Sequence, residues 1–202
     1  MGMAKNNTEK RREPASGWKE TVLLYLHDTV NLLIVVLLLF LLVFRIIIVS
    51  GDSMRRTLVD GDYLLLLNNL FYQEPKQGDV VVVSKKSFDN GAPIVKRVIA
   101  TEGQTVDIDF EAGVVYVDGE ALQENYINTP TYNNYGTVFP LVVDENCIFA
   151  LGDNRGVSRD SRDPIIGQID NREILGKALF LFLPGTDKDR GAREPDRIGV
   201  IK

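Results

Sequence analysis

The chain has 202 residues, of which 45% are hydrophobic and 25% are charged, and this length is enough for one domain with its own core or for one domain plus an appendage. Its net charge is -5, and residues 1–28 carry five basic and four acidic side chains, so residues 29–202 bear -6 and no basic surface for nucleic acid is expected. A single cysteine, Cys147, and a single histidine, His27, exclude an internal disulfide and argue against a zinc site, and no metal or cofactor is implied.

Residues 1–22 are predicted to be a polar, mostly disordered tail, and residues 23–46 a transmembrane helix. The sixteen residues from Thr29 to Phe44 carry no charge. Leu23–Leu26 and a snorkelling Arg45 extend this run toward the roughly 20 residues that span a bilayer. The alternative is a buried helix of a soluble protein, but hydrophobicity on all sides favours a span. No Ala-x-Ala-like cleavage site follows, so the segment is expected to remain as an anchor.

The basic residues predict the orientation of this anchor. More Lys and Arg side chains precede the apolar segment than follow it closely, which places the N-terminus in the cytoplasm. We therefore expect a single-pass protein of the cell membrane, with residues 47–202 forming an extracytoplasmic domain.

Short apolar runs separated by Gly, Asp, Asn and Pro follow the anchor, and this pattern predicts β strands. No 12-residue amphipathic helical pattern interrupts them, so the expected fold class is mainly β. The predicted strands are Tyr63–Leu67, Val80–Val83, Ile94–Ala100, Val106–Ile108, Val114–Val117, Val138–Val143, Cys147–Leu151 and Ala178–Leu183.

Ser53 lies in the stretch Ser50–Leu58, just after the apolar segment, and is a candidate nucleophile. A hydroxyl is a weak nucleophile at neutral pH and needs a base within hydrogen-bonding reach. His27 precedes the apolar segment, which would separate it from Ser53 by a hydrocarbon thickness of about 30 Å. A Ser-His-Asp triad is therefore excluded, and the remaining type of base is a lysine that burial deprotonates.

Lys96 is the candidate base because of its place in a predicted strand. Side chains alternate between the faces of a strand, so Ile94, Lys96 and Val98 share one face. Two β-branched apolar neighbours would exclude water from the ammonium group and lower its pKa from about 10.4. The alternative from spacing alone is a lysine at a sheet edge, which protects that edge against aggregation.

A second polar stretch, residues 152–162, directly follows the apolar run Cys147–Leu151 and is predicted to be a loop. Such a loop is either a solvated connection or the wall of a functional site. Its own sequence does not decide between the two.

Taken in order, these segments resemble the motifs of bacterial type I signal peptidases, in particular a Gram-positive-like subset. The resemblance covers the chain from the anchor to about residue 183. It is carried by Ser53-Met54-x-x-Thr57-Leu58, Gly61-Asp62, Lys96-Arg97-Val98-Ile99, Gly152-Asp153-Asn154-Arg155, then Ser158, Asp160, Ser161 and Arg162, and finally Gly176-Lys177-Ala178.

The resemblance implies a signal-peptidase-type β-sheet domain with a Ser/Lys dyad. Ser53 would be the nucleophile, Lys96 the general base, and Ser158 the residue that hydrogen-bonds Lys96 and orients it. The Ser53 N–H would form the oxyanion hole, with the Gly51 N–H as the second donor. We further hypothesise an ion pair between Arg97 and Asp160. The residues of structural support would be Arg97, Asp153, Asn154, Arg155, Asp160 and Arg162.

The resemblance also implies a reaction and its substrate. The expected activity is endoproteolysis of signal-peptide-bearing preproteins, with small side chains one and three residues before the bond that is cut. The substrate would add as a strand beside residues 49–53 and near residues 93–96. The lipid bilayer is the other expected partner. The substrate-binding residues would be Val49, Asp52, Met54, Pro93, Ile94 and Val95.

Two further features bear on the comparison with that family. Arg56 stands where the family usually has proline, which predicts a less rigid turn after Ser53. Residues 185–202 lie beyond the resemblance, and their content of Asp, Lys, Arg and Gly predicts a loosely packed end.

Two other functions remain open at this point. One is a self-cleaving Ser-Lys protease of the SOS-repressor type, which would be cytosolic, and the anchor disfavours it. The other is a non-catalytic, membrane-anchored homologue that binds partner proteins. The joint presence of Ser53, Lys96 and Ser158 disfavours this second alternative.

Overall fold

The computed structural model describes residues 17–188 and 191–201 of the chain. The chain divides into two units, residues 1–40 and residues 41–202. Residues 1–16, which make up most of the predicted tail, lie outside the described residues.

A long apolar helix opens the described part of the chain. Helix α1 runs from Trp18 to Val43 and has 26 residues, which gives it a length of about 39 Å. Its most apolar window has a mean hydropathy of 2.4, and none of that window is buried. The helix is therefore long and apolar enough to cross a membrane.

Both ends of α1 lie earlier in the sequence than those of the predicted span, residues 23–46. The residues after Val43 form strand β1, Phe44–Ile48, which pairs antiparallel with β2, Tyr63–Asn68. The run of β-branched residues that ends β1 favours a strand over a helix. Arg45 was expected to snorkel from the helix end, but it lies in β1 opposite Leu66.

The second unit is mainly β, as predicted. The strands after β2 are β3 (Val80–Val83), β4 (Ile94–Thr101), β5 (Thr105–Asp109), β6 (Val114–Val117), β7 (Glu120–Ala121), β8 (Leu141–Val142), β9 (Cys147–Leu151), β10 (Ile169–Asp170), β11 (Ile174–Leu183), β12 (Thr186–Asp187), β13 (Ala192–Arg193) and β14 (Gly199–Val200). In the main sheet the strand order is β1-β2-β11-β3-β4-β9-β10, and β14 also pairs with β11. A smaller sheet has the order β7-β6-β5-β8, and β12 and β13 form a separate pair.

Two predicted strands differ clearly from the observed ones. The run Val138–Val143 contributes only the short strand β8, because Pro140 has no N–H with which to extend a ladder. Strand β11 begins at Ile174, before the predicted start at Ala178. Its early part holds Gly176, where a side chain would lie 2.2 Å from the carbonyl oxygen of Leu67, so this position requires glycine.

Buried side chains anchor the Ser53 loop on both sides. Val49, Met54 and Leu58 are all buried in one apolar cluster, together with Leu64 and Val95. Burying an apolar side chain of this size stabilises the fold by about 1.5–3 kcal/mol. The backbone around Ser53 is therefore held on the sheet although it forms no regular element.

The segment beyond the family resemblance is tied to the fold at two points, so the expectation of a loosely packed end is wrong at Gly185 and Arg197, while most of residues 191–200 are exposed. The Gly185 N–H donates to Asp62 Oδ1 at 2.7 Å, and the Arg197 guanidinium pairs with the same carboxylate. Asp62 is fully buried, and a buried carboxylate requires such partners. The C-terminal segment thus returns to the loop that follows Ser53.

Candidate active site

The side chains of Ser53 and Lys96 meet in the structure. Lys96 Nζ lies 2.9 Å from Ser53 Oγ, and it also lies 2.9 Å from the Val95 carbonyl oxygen. A neutral lysine amine has a lone pair that can accept the hydroxyl proton. The pair therefore has the geometry of a nucleophile and its base.

Lys96 is shielded from water although one side of its strand is open at this point. Strand β4 pairs with β3 through Lys96, whereas its pairing with β9 begins only at Arg97. The exposed fraction of Lys96 is 2%, so it is not a solvated edge lysine. The pKa of Lys96 is lowered to about 8, chiefly by burial and to a smaller extent by the Arg162 charge, while the carboxylates of Asp160 and Asp153 oppose this shift. Desolvation is the largest of these effects, since it penalises the ammonium form directly.

Asn154 holds the backbone on both sides of the Ser53 N–H. Its side-chain Nδ2 donates to the Asp52 carbonyl oxygen at 3.0 Å, and its backbone N–H donates to the Ser53 carbonyl oxygen at 2.9 Å. No described group accepts a hydrogen bond from the Ser53 N–H. That N–H is therefore available as an oxyanion donor.

The Gly51 N–H is occupied, contrary to the expectation that it supplies the second oxyanion donor. It donates to Asp60 Oδ1 at 2.9 Å. This hydrogen bond, with Lys188 nearby, holds the pKa of Asp60 below its usual value, so the carboxylate stays ionised. Gly51 itself has φ +86, a conformation that glycine adopts without strain.

The expected hydrogen bond between Ser158 and Lys96 is absent. Ser158 is fully buried, and its Oγ has no hydrogen-bond partner. The contacts of Lys96 Nζ go instead to Ser53 Oγ and the Val95 carbonyl. Ser158 nevertheless lies beside the dyad, because a Cβ on Gly152 would lie 2.2 Å from Ser158 Oγ and 2.5 Å from the Ser53 carbonyl oxygen.

Arg97 pairs with Asp153, so the hypothesised pair with Asp160 is wrong. Arg97 Nε and Nη2 donate to the two Asp153 carboxylate oxygens at 2.9 and 2.8 Å. Asp160 is taken by Arg162, whose Nε and Nη2 bind its two oxygens at 2.8 and 2.9 Å. Both pairs are bidentate and fully buried, and such pairs fix geometry strongly. Thr57 Oγ1 also donates to Asp153, which ties the loop after Ser53 to Arg97.

Arg155 supports the same loop from another side. It is buried, and its Nε donates to the Gly152 carbonyl oxygen at 3.1 Å while its Nη1 donates to Thr131 Oγ1 at 2.6 Å. It also forms an ion pair with Glu124. Sequence reasoning missed Glu124 and Thr131, since the irregular segment that holds them carries no motif.

Three of the predicted substrate-binding residues offer no side chain to a substrate. Val49, Met54 and Val95 are buried in the core. The Val49 N–H donates to the Asp62 carbonyl, and its own carbonyl accepts from the Gly61 N–H, so an added strand cannot pair there. Of the others, Asp52 and Ile94 are half-buried and Pro93 is exposed.

The turn after Ser53 differs from a proline-containing turn. Arg56 has φ +95, whereas proline is locked near −65°. The Arg56 guanidinium donates to the Ile127 carbonyl oxygen at 2.7 Å. The turn is therefore held by this contact in a conformation that proline cannot adopt.

The family model and the similar proteins agree on one family. Residues 22–183 match the family model described as signal peptidase, peptidase S26, which confirms the resemblance seen in the sequence. The chain is 37% identical over 136 residues to the probable signal peptidase I-1 of Synechocystis sp., covering 64% of this chain and 66% of that protein. It is 31% identical over 119 residues to signal peptidase I of Leptolyngbya laminosa, covering 56% and 55%.

A Bacillus relative and a solved structure extend this comparison. Signal peptidase I of Bacillus licheniformis is 30% identical over 135 residues, covering 63% of this chain and 70% of that protein. The crystal structure of a signal peptidase I from Enterococcus faecalis is 30% identical with a TM-score of 0.42, covering 52% of this chain and 96% of that one. The chain spans about half to two thirds of the length of the Synechocystis and Leptolyngbya relatives.

Proposed function

The chain belongs to the signal peptidase family, peptidase S26, and on this premise we propose that it is a membrane-anchored serine endopeptidase that removes signal peptides from exported preproteins. The observation that carries the proposal is the 2.9 Å contact between Ser53 Oγ and a Lys96 amine that is 2% exposed. A buried lysine with a lowered pKa, next to a hydroxyl, is a general base rather than a structural cation.

The reaction begins with transfer of the Ser53 proton to the neutral Lys96 amine while Oγ attacks the scissile carbonyl carbon. The carbonyl oxygen becomes an oxyanion, which the Ser53 N–H stabilises. As the tetrahedral intermediate collapses, the Lys96 ammonium gives its proton to the leaving amine, and the signal peptide remains as an acyl group on Ser53. Lys96 then deprotonates a water molecule that hydrolyses this ester and restores the enzyme.

Substrate selection would take place where the accessible part of the site meets the dyad. Ile94 precedes Lys96 on β4, Pro93 lies just before that strand, and Asp52 precedes Ser53. An extended substrate that runs between these two segments places its scissile bond at Oγ, and small side chains at the first and third positions before the bond allow a close backbone approach. Val49 cannot pair with this strand, because its N–H and carbonyl are already bound to Asp62 and Gly61.

The bilayer contact is supported by two apolar features. Helix α1 would supply the span, and the excess of Lys and Arg before it supports a cytoplasmic N-terminus. On the β unit, Ile46 and Ile48 of β1, Phe182 of β11 and Val200 of β14 are exposed; β2 separates β1 from β11 in the main sheet, and β14 pairs with β11. Exposed apolar patches of this kind are typical of surfaces that contact a membrane.

The decisive experiment uses the full chain in proteoliposomes with a preprotein that carries an Ala-x-Ala site. The wild-type chain should release the mature protein, whose N-terminus is identified by sequencing. Ser53→Ala and Lys96→Ala should abolish cleavage, while the exposed controls Ser87→Ala and Lys86→Ala should keep it. Equal turnover in all five chains would refute the dyad, and no turnover in any would favour a non-catalytic homologue.

The pH dependence gives a second test of Lys96 as the base. Only the neutral amine is active, so activity should rise with pH through the Lys96 pKa of about 8. The rate should increase by about tenfold from pH 7 to pH 9 and then level off. A profile that stays flat over this range would exclude Lys96 as the base.

A further inference from the structure

A segment outside all family motifs reaches the nucleophile loop through one side chain, Asn128. The Asn128 N–H donates to the Asp153 carbonyl oxygen at 2.9 Å, which fixes its backbone beside Asn154. Its side-chain Nδ2 lies 3.3 Å from Asn154 Oδ1 and donates to it. Asn128 is otherwise exposed, so it contributes little to the core.

The two amides act in series on one peptide group. Asn154 Nδ2 donates to the carbonyl oxygen of Asp52. The C=O of Asp52 and the N–H of Ser53 belong to the same planar trans peptide, in which they point in opposite directions. Holding the carbonyl on one side therefore aims the Ser53 N–H to the other side.

The orientation of the Asn154 amide decides whether it can hold the Asp52 carbonyl. The Asp52 carbonyl can only accept, so Nδ2 of Asn154 must face it, and Oδ1 must face the other way. A donor on that other side favours this orientation, and Asn128 supplies it. With an acceptor there instead, the amide would turn over and present Oδ1 to the Asp52 carbonyl.

We propose that Asn128 is a positioning residue, which acts through Asn154 to aim the Ser53 N–H at the oxyanion. The inference rests on the proposed function, because only a reaction that forms an oxyanion uses this N–H. The Gly51 N–H is bound to Asp60, so of the two expected donors only the Ser53 N–H remains to bind the oxyanion. Its alignment therefore controls the rate and not the affinity for the substrate.

The test compares Asn128→Asp with wild type in steady-state cleavage of a preprotein by the full chain in proteoliposomes. The substitution preserves shape but replaces the donor with an acceptor. We expect kcat to fall by about tenfold, less than for complete loss of an oxyanion donor, with KM and the thermal unfolding midpoint unchanged. Asn134→Asp is the matched control, since it adds the same charge in the same segment while keeping the acceptor that binds the Gly136 N–H.

A double-mutant cycle with Asn154→Ala separates a relay from a local effect. If Asn128 acts through Asn154, the double variant should be no slower than Asn154→Ala alone. Additive losses, a change confined to KM, or an Asn128→Asp rate equal to wild type would each overturn the inference. A wild-type chain without turnover would instead overturn the proposed function, and this inference with it.

Discussion

Replacing Lys96 by methionine should abolish activity and yet stabilise the folded chain at neutral pH. The folded chain holds this amine with a pKa of about 8, against 10.5 for an exposed lysine. The unfolded chain thus binds more protons between these values, so stability rises with pH across this window and the full penalty is present below it. At about 1.4 kcal/mol per pH unit, the penalty at pH 7 is about 3 kcal/mol.

Methionine has a similar length and no charge, so Lys96→Met removes this penalty. It also removes the hydrogen bonds to Ser53 and Val95, each worth about 1 kcal/mol. We expect a net gain of about 1–2 kcal/mol at pH 7, which should shrink by about 2 kcal/mol by pH 9.5, where the wild-type amine is neutral when folded.

The assay is differential scanning calorimetry of the full chain in detergent micelles at several pH values. Calorimetry is preferable to tryptophan fluorescence because the single tryptophan, Trp18, lies in α1 and reports on the helix. For a domain of this size, 2 kcal/mol corresponds to about 4–8 °C in the unfolding midpoint. The exposed control Lys86→Met should show no such trend. A difference between Lys96→Met and wild type that does not vary with pH would refute the reasoning.

Three further predictions concern the support of the site. Arg97→Met should lower the free energy of unfolding in urea by about 3–5 kcal/mol, because it leaves the buried Asp153 carboxylate without its counter-ion. Arg172→Met, in an exposed pair, should lower it by at most about 1 kcal/mol. Equal losses for the two variants would contradict this prediction. Gly152→Ala should abolish cleavage, because its Cβ would lie 2.2 Å from the buried Ser158 hydroxyl and 2.5 Å from the Ser53 carbonyl oxygen. Gly156→Ala should stay active, because its Cβ would lie 3.4 Å from the hydroxyl of the exposed Thr129. Arg56→Pro should lower the unfolding midpoint although it restores the usual family residue, because proline cannot adopt φ +95. An unchanged midpoint would show that the turn takes another backbone conformation without cost.

The dyad was predicted from the order of the motifs along the chain, since the strand pattern around Lys96 by itself left an edge lysine open. Strands β3, β6 and β9 were predicted to the residue because turn-forming residues bound each apolar run. Alternating burial was not the signal, since β6 alternates but β3 is buried throughout.

The partners of the charged residues could not be predicted in this way. Arg97 could reach either Asp153 or Asp160, and the choice depends on how residues 152–162 fold. In that loop Asp160 is taken by an arginine two residues away. The contacts of Asn128 with Asn154 and of Lys188 with Asp60 likewise join distant segments, and neither Asn128 nor Lys188 lies in a motif. Asp60 is only nine residues from Gly51, but it lies just outside the motif that begins at Gly61.

The ion pair between Arg197 and Asp62 has a consequence for biosynthesis. The two residues are 135 positions apart. The ribosome therefore makes Ser53 and Asp62 long before it makes Arg197, whose guanidinium neutralises the Asp62 carboxylate. Contacts of such long sequence separation form slowly. A nascent chain therefore carries Ser53 and Lys96 before Arg197 can bind Asp62, and we expect the loop after Ser53 to reach its final geometry only once the chain through Arg197 has left the ribosome.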